Sequence, residues 1–447
     1  MYDYLIYNRL KKAGVAQKTF HIPGHKDKGE FKKLFPVSAM DVTELPYSDN
    51  LHNPEEVIAS AQRDIAEILG AGASFITTDG SSSGVYALLF AAAQRGNKII
   101  VMRNSHQSVW TGCRLLGLEP LIVQGEEVEG LLCFPDLEEI EKLIAADPKI
   151  AGVLVTSPDY YGKIAPLDKL SEITKNYNRL LLVDEAHGAH LAFGDKKGYA
   201  GLYADAWVDG AHKTLPTLTQ GAIVSVNNGE IYPYIRDGID TFRTTSPSYP
   251  IMASVEYGVK YYANYPLKIQ NAKFAVESFL KECEGVLPMV VHDDYTKLLL
   301  DCKPLDISAE TVLSMLEGRG TYAELCDGRY ILFYLSPMIE LGELRDLKRK
   351  LVSITDNKKL AGTYKENPPI PSADRSYSFQ YALKKPCELV ELEDAIGRMC
   401  AKNAGVNPPC IPVIVAGEMV TAAAVRTLEG AKHTFGVVDG KIYVVKK

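Results

Sequence analysis

Several signals that would narrow the function early are missing from this 447-residue chain. No CxxC pair occurs among its eight scattered cysteines, Cys113, Cys133, Cys283, Cys302, Cys326, Cys387, Cys400 and Cys410. A zinc clamp or dithiol shuttle is therefore excluded, and buried, reduced thiols are expected. No apolar run approaches the roughly 18 residues that span a bilayer, so no membrane partner is expected. The opening MYDYLIYNRLKKAG lacks a basic flank leading into an apolar stretch and does not read as a signal peptide. A basic stripe is also absent: 49 basic against 56 acidic residues leave a net charge of −7, with neither sign gathered into a block. That argues against nucleic acid as a partner. There is no internal repeat, low-complexity tract, GxGxxG turn or Walker sequence, which removes the common dinucleotide and P-loop sites. What is present is an ordinary globular composition, 46% hydrophobic and 23% charged. At roughly 100–200 residues per domain, the length predicts a few domains of a cytoplasmic, enzyme-sized protein.

From Asn53 to about Val226, helical and strand periods alternate, as in a mostly parallel sheet with helices on its faces. PEEVIASAQRDIAEILG predicts a helix with Gly70 at its C-cap. ASFITTDG, NKIIVMR, EPLIVQ, IAGVLVTSP, RLLLVDEAH, AWVDGAH and GAIVSV predict short strands, several of them apolar on both faces. SSGVYALLFAAAQRG, HQSVWTGCRLLG, DLEEIEKLIAAD and LDKLSEITKNY predict the intervening helices. Beyond Pro250 comes a long helical stretch that Pro266 must interrupt. A smaller α+β region follows, with strands in LPMVVH, TKLLLD and RYILFYL and helices in AETVLSMLEGRG and LGELRDLKRKL. The expected division is an N-terminal arm over 1–52, a large domain with a linker helix over 53–280, and a C-terminal α+β domain over 281–447. The polar, Pro-containing stretch 356–376 is expected to be a loop or lid.

In an open α/β sheet, ligands bind beyond the carboxyl ends of the strands, and here those ends are polar. Ser81, Ser82 and Ser83 open a helix, either as an N-cap with filler or as a phosphate cup served by free N–H groups and the helix dipole. His106 stands at the start of the next helix. Asp184 ends the apolar run LLLV, where a carboxylate is costly unless a cation or proton donor meets it. His187 follows three residues later. His212 and Lys213 lie just past AWVDGA; a lysine there is either a snorkelling surface residue or a desolvated amine suited to Schiff-base chemistry. Asp184, His187 and His190 also offer metal donors, but no second ligand cluster accompanies them and no metal is expected. Taken together, one cofactor uses all of these groups. Pyridoxal phosphate needs an amine for its aldehyde, an anion site for its phosphate, a carboxylate for its pyridine nitrogen and a planar group on its face. Lys213, the Ser81–Ser83 turn, Asp184 and His106 supply them.

Seven segments, TFHIPGHKDKG (19–29), DVTELPYSDNLHNP (41–54), DGSSSG (79–84), VMRNSHQSV (101–109), VDEAHGAH (183–190), AHKTLPTLTQGA (211–222) and TTSPSYP (244–250), resemble in order the ornithine/lysine/arginine decarboxylase family. PPCIPVIVAGE (408–418), preceded by LEDAIGRMCAKN, resembles that family's C-terminal domain. The resemblance implies pyridoxal phosphate as cofactor. It also implies fold type I, the aspartate-aminotransferase fold: a mostly parallel, mixed seven-stranded sheet flanked by helices, with a smaller α+β C-terminal domain. By the same resemblance, Lys213 holds the cofactor's aldehyde, Asp184 partners the pyridine nitrogen, and His106 stacks on the ring. His187 lies by the phenolic oxygen or the departing carboxylate, and Ser81, Ser82, Ser83 and His212 surround the phosphate. Thr245 and Ser246 match a segment that reaches a neighbouring subunit's cofactor, implying a homodimer or higher homo-oligomer with a shared active site. The chain departs from the family at Gly210 and Ala211, where many members carry Ser-Thr or Ser-Ala, at Glu55, and at Cys410 in place of glycine. It resembles the short members that lack an N-terminal wing domain.

The expected activity is decarboxylation of a basic L-amino acid, arginine, lysine or ornithine, for polyamine biosynthesis. Asp49, Glu185 and Glu418 are the acids considered for the substrate's distal cation. The alternatives are an aminotransferase or lyase on the same cofactor, for which Arg243 would take the substrate carboxylate, and a non-catalytic descendant of the fold.

Overall fold

A computed structural model describes residues 1–13, 20–365, 377–407 and 410–446. Thr19 at the head of the first motif, residues 366–376 of the expected loop or lid, and Pro408 and Pro409 lie outside the described residues. Seven strands form one mixed sheet: β1 (Ala73–Thr77), β2 (Lys98–Met102), β3 (Glu119–Val123), β4 (Ile150–Thr156), β5 (Leu180–Glu185), β6 (Ala206–Asp209) and β7 (Ala222–Val226). Their order is β1-β7-β6-β5-β4-β2-β3. β7 runs antiparallel to both β1 and β6, whereas β5 pairs parallel with β6, and β2 pairs parallel with β3 and β4. The continuous apolar runs of β5, β6 and β7 are explained by burial at every position, both faces included.

The chain forms two compact units that interleave along the sequence, Met1–Ala91, Pro166–Ser171 and Leu181–Asn271 in the first, Ala92–Ala165, Glu172–Leu180 and Ala272–Lys447 in the second. In the first unit, the helix Val57–Leu69 buries Val57, Ile58, Ala61, Ile65 and Leu69 at three-and-four spacing. It stops at Gly70, whose φ of 69° permits the left-handed cap predicted from the sequence. The N-terminal helix Leu5–Ala13 is held by buried charge. Glu256, fully buried in the helix Tyr249–Asn264, accepts the N–H groups of Leu5 (2.7 Å) and Ile6 (2.8 Å), two of the orphan donors of that helix start. Lys260, one turn on and also fully buried, donates to Glu256 (2.8 Å) and the carbonyl of Asp3 (2.7 Å) and pairs with Asp64 at 2.6 Å. Burial pushes the Glu256 carboxyl up, and Lys260 opposes that shift.

In the second unit, the expected α+β region contains an antiparallel sheet of Met289–Val290, Lys297–Asp301, Tyr330–Tyr334 and Leu325–Cys326, with the helices Ala309–Glu317 and Leu341–Thr355. Pro266 interrupts the helical stretch as expected, separating Tyr249–Asn264 from Leu267–Cys283. Two further three-stranded sheets were not read from the sequence. One joins Cys387–Glu391, Lys441–Val445 and Val437–Val438, and the other Ile411–Ile414, Ala404–Val406 and Thr434–Phe435. These strands have two to five residues each, too few to write a period of two. All eight cysteines are free. Cys410 has a φ of 61°, the left-handed region that suits the glycine which the family resemblance implies there. Among the described residues, no helix is long and apolar enough to cross a membrane.

Lys260→Met should destabilise the chain by about 3–5 kcal/mol, because Glu256 and Asp64 keep their charges and lose their cation; urea unfolding measures the loss. Cys410→Gly should stabilise it by up to about 1 kcal/mol, the relief of left-handed strain less the entropy cost of glycine, read from the same unfolding midpoint.

Candidate active site

In the first unit, the strand ends of β5 and β6 bring together several of the residues singled out from the sequence. Gly210, directly after β6, lies so close to the chain after β5 that a Cβ there would stand 2.4 Å from the carbonyl oxygen of Ala186. The serine that many family members carry at this position would not fit this backbone. The close approach seats the single helical turn Ala211–Thr214 beside His187, and Lys213 Nζ lies 2.8 Å from His187 Nε2. A hydrogen bond between these nitrogens requires one of them to be neutral. Lys213 is half-buried and His187 buried.

Asp184 is 2% exposed and accepts the N–H of Ala186 at 3.1 Å. Burial raises its pKa, and the charge of Lys213 lowers it. A second cation or N–H donor placed against it would favour the ionised form further. His212 donates from Nδ1 to the carbonyl of Gly221 (3.0 Å), and burial lowers its pKa against that bond.

The serine turn opens the helix Gly80–Ala93, which sits hard on the sheet: a Cβ on Gly84 would lie 2.5 Å from Val208 Cγ2. The three serines divide their work. Ser83 bonds Gly80 O (2.8 Å) and Thr77 Oγ1 (3.0 Å), so it holds the turn itself. Ser81 and Ser82 are half-buried, and neither hydroxyl has a partner among the described residues. Two free hydroxyls at the N-terminus of a 14-residue helix suit a phosphate dianion. Asp79 Oδ2 accepts the N–H of Thr244 (3.4 Å), tying this turn to the segment in which Thr245 and Ser246 are exposed. An amine, a buried carboxylate and an anion cup, all in one unit, match what pyridoxal phosphate requires.

His106 belongs to the second unit. It is the N-cap of the helix Gln107–Leu116, its Nδ1 accepting the N–H of Ser108 at 3.2 Å, so that nitrogen carries no proton. The next residue, Gln107, donates its N–H to the carbonyl of Cys410 at 2.9 Å.

The acids considered for the substrate's distal end have other work. Asp49 accepts the N–H groups of Asn50, Glu55, Glu56 and Ile58, which hold its pKa down in spite of burial. Glu418 pairs with Arg103 at 2.6 Å, both 3% exposed. Glu185 accepts the N–H of Ala200 at 2.8 Å and neighbours Asp209. Arg243, the residue an aminotransferase reading calls on, is bonded to Asp240 at 2.6 Å. Asp209 was not singled out from the sequence, although it ends AWVD as Asp184 ends LLLVD, the same signal of an acid closing an apolar strand.

Comparison with known proteins accords with this geometry. The family described as Orn/Lys/Arg decarboxylase, major domain, matches residues 6–279, and its C-terminal domain matches residues 358–434. The chain is 30% identical to the YaaO protein of Bacillus subtilis (strain 168), covering 98% of this chain and 96% of that one. It is 28% identical to an arginine decarboxylase of the same organism, covering 99% and 97%. The structure of the E. coli constitutive lysine decarboxylase superposes with a TM-score of 0.81 at 18% identity, covering 99% of this chain and 82% of that one. The chain therefore belongs to the Orn/Lys/Arg decarboxylase family and is a pyridoxal-phosphate-dependent amino acid decarboxylase of fold type I.

Proposed function

We propose that this enzyme decarboxylates a basic L-amino acid, arginine, lysine or ornithine, to the corresponding amine, and that it serves polyamine biosynthesis in the cytoplasm as a homodimer. The contact of Lys213 Nζ with His187 Nε2 at 2.8 Å carries the reading of the site. The cofactor supplies an electron-withdrawing ring that takes up the electron pair left by the departing carboxylate. Asp184, ionised against a cation in a dry site, keeps a proton on the pyridine nitrogen. Ser81, Ser82 and the helix N–H groups bind the phosphate, and His106 takes the stacking role that the family resemblance implies. Lys213 would hold the cofactor's aldehyde, and its amine, next to His187, would return a proton to Cα. Ser83 acts on the turn and not on the phosphate. Thr245 and Ser246, which the family resemblance assigns to a neighbouring subunit's site, are exposed, as the homodimer reading requires. A net charge of −7 does not repel a cationic substrate.

Lys213→Ala should abolish turnover and the visible absorbance of the bound cofactor; a variant retaining both overturns the role of Lys213. Asp184→Asn should keep the cofactor and lower kcat by about a hundredfold or more, through loss of a charge aimed at the reacting ring. Incubating the enzyme with arginine, lysine and ornithine in turn and identifying the amine and carbon dioxide names the substrate. A keto acid product instead overturns the decarboxylase reading.

A further inference from the structure

Behind the site lies a pair of acids that the chemistry above does not use. Glu185 ends β5 and Asp209 ends β6, and they are register partners on these parallel strands. Side chains alternate along a strand, so both lie on the face opposite Asp184. Glu185 is 0% and Asp209 1% exposed. Each has one oxygen served by a fixed donor: Ala200 N–H reaches Glu185 Oε1 at 2.8 Å, and Trp207 Nε1–H reaches Asp209 Oδ2 at 2.9 Å. The other two oxygens, Glu185 Oε2 and Asp209 Oδ1, meet no further donor.

Among the described residues, neither carboxyl has a cationic partner. The titratable side chain packed against them is Tyr199, which stacks edge-on to Trp207 with centroids 5.9 Å apart. Its hydroxyl proton is already given to the carbonyl of Leu69 at 2.9 Å. Burial and the two acids raise the Tyr199 pKa, so the phenol stays neutral. Asp184, His187 and Lys213 lie on the same strand ends, but on the cofactor side. Two ionised carboxylates paired in register, dry and without a cation, would be prohibitively costly. Burial drives both pKa values up. A proton kept on one acid lets it donate to the other, and neither of the two remaining oxygens has another donor among the described residues.

We infer that Glu185 and Asp209 share one proton and act together as a positioning pair, clamping the strand ends that carry Asp184, His187 and Lys213. The connection is short. Ala186, next to Glu185, gives its N–H to Asp184, and its carbonyl abuts Gly210, next to Asp209. Gly210 O in turn accepts the N–H of Lys213 at 2.9 Å. Separating the carboxyls pushes this seam apart and moves Lys213 away from His187 and Asp184. The inference rests on the reading of Lys213 and Asp184 as the cofactor's residues, and the first measurement is independent of it.

Glu185→Gln and Glu185→Ala test the clamp. The amide of the first keeps a donor for Asp209 but has no proton to lose; the second leaves Asp209 alone. The first measurement is urea unfolding of the cofactor-free protein between about pH 5 and about pH 9. A carboxyl that holds its proton only in the folded chain adds stability that is complete below the ordinary glutamate pKa and is lost as pH rises. The Gln variant lacks that loss, so its unfolding midpoint should gain on the wild type as pH rises. Parallel midpoints overturn the shared proton. The second measurement uses the cofactor-loaded enzyme. Glu185→Gln should keep kcat within about threefold and leave the visible band in place, while flattening the alkaline limb of the kcat profile. Glu185→Ala should shift the band and lower kcat about tenfold or more with KM little changed. An Ala variant with wild-type kcat and band, or a Gln variant with the wild-type alkaline limb, overturns the positioning role. If the Ala variant fails to fold, the Gln comparison decides alone. A wild type without decarboxylase activity would count against the proposed function, and the unfolding comparison would still decide the shared proton.

Discussion

The chain after β5 and the chain after β6 run so close together that Ala186 and Gly210 touch backbone to backbone, with no room for even a methyl group between them. Almost everything chemical in the first unit follows from that contact. It sets the single turn Ala211–Thr214 against His187, brings the amine of Lys213 to an imidazole nitrogen, and leaves Asp184 in a dry strand end with the lysine's charge as the main influence opposing its burial. An amine on a long flexible stem would otherwise sample many positions at an entropy cost near 2 kcal/mol, about the value of the hydrogen bonds it makes. The backbone contact restricts that freedom before any ligand arrives, the general advantage of placing reactive groups on rigid elements.

Buried charge in this unit is handled in two ways. Around the N-terminal helix, Glu256 and Asp64 are matched by Lys260, and the N–H groups of Leu5 and Ile6 complete the carboxylate's shell. Behind the cofactor face, Glu185 and Asp209 have no cation among the described residues and depend on a proton and on two N–H donors. The first arrangement fixes a distant segment of chain; the second fixes two neighbouring strands. A cation at the second place would sit a strand's thickness from Lys213 and Asp184 and would compete for the influence that Lys213 has on Asp184. A neutralising proton avoids that.

Much of the fold was legible in the residues. The strands from Ala73 to Val226 announce themselves by short β-branched apolar runs, Gly70 by its place after the last apolar helix position, and the break near Pro266 by the missing N–H. The C-terminal sheets were not legible, because strands as short as Val437–Val438 and Thr434–Phe435 show no period and exist only through partners distant in sequence. At the site, the residue types were readable but their duties were not. Ser83 looks like its two neighbours in sequence and is spent on the turn, while Asp49, an apparently free acid, is consumed by four backbone N–H groups.

The amino-acid sequence by itself determined the elements from Ala73 to Val226, the polar residues at their strand ends and the family to which they belong, because periodicity, caps and motifs are local properties written within a few residues of one another. Only the tertiary structure decided which of those residues meet. Lys213 faces His187 across 26 residues of chain, and Glu185 finds Asp209 through the register of two parallel strands. Register, burial and the absence of a competing cation arise from packing between distant segments. No spacing in the sequence encodes whether an acid at a strand end will bind a ligand, cap a helix or share a proton.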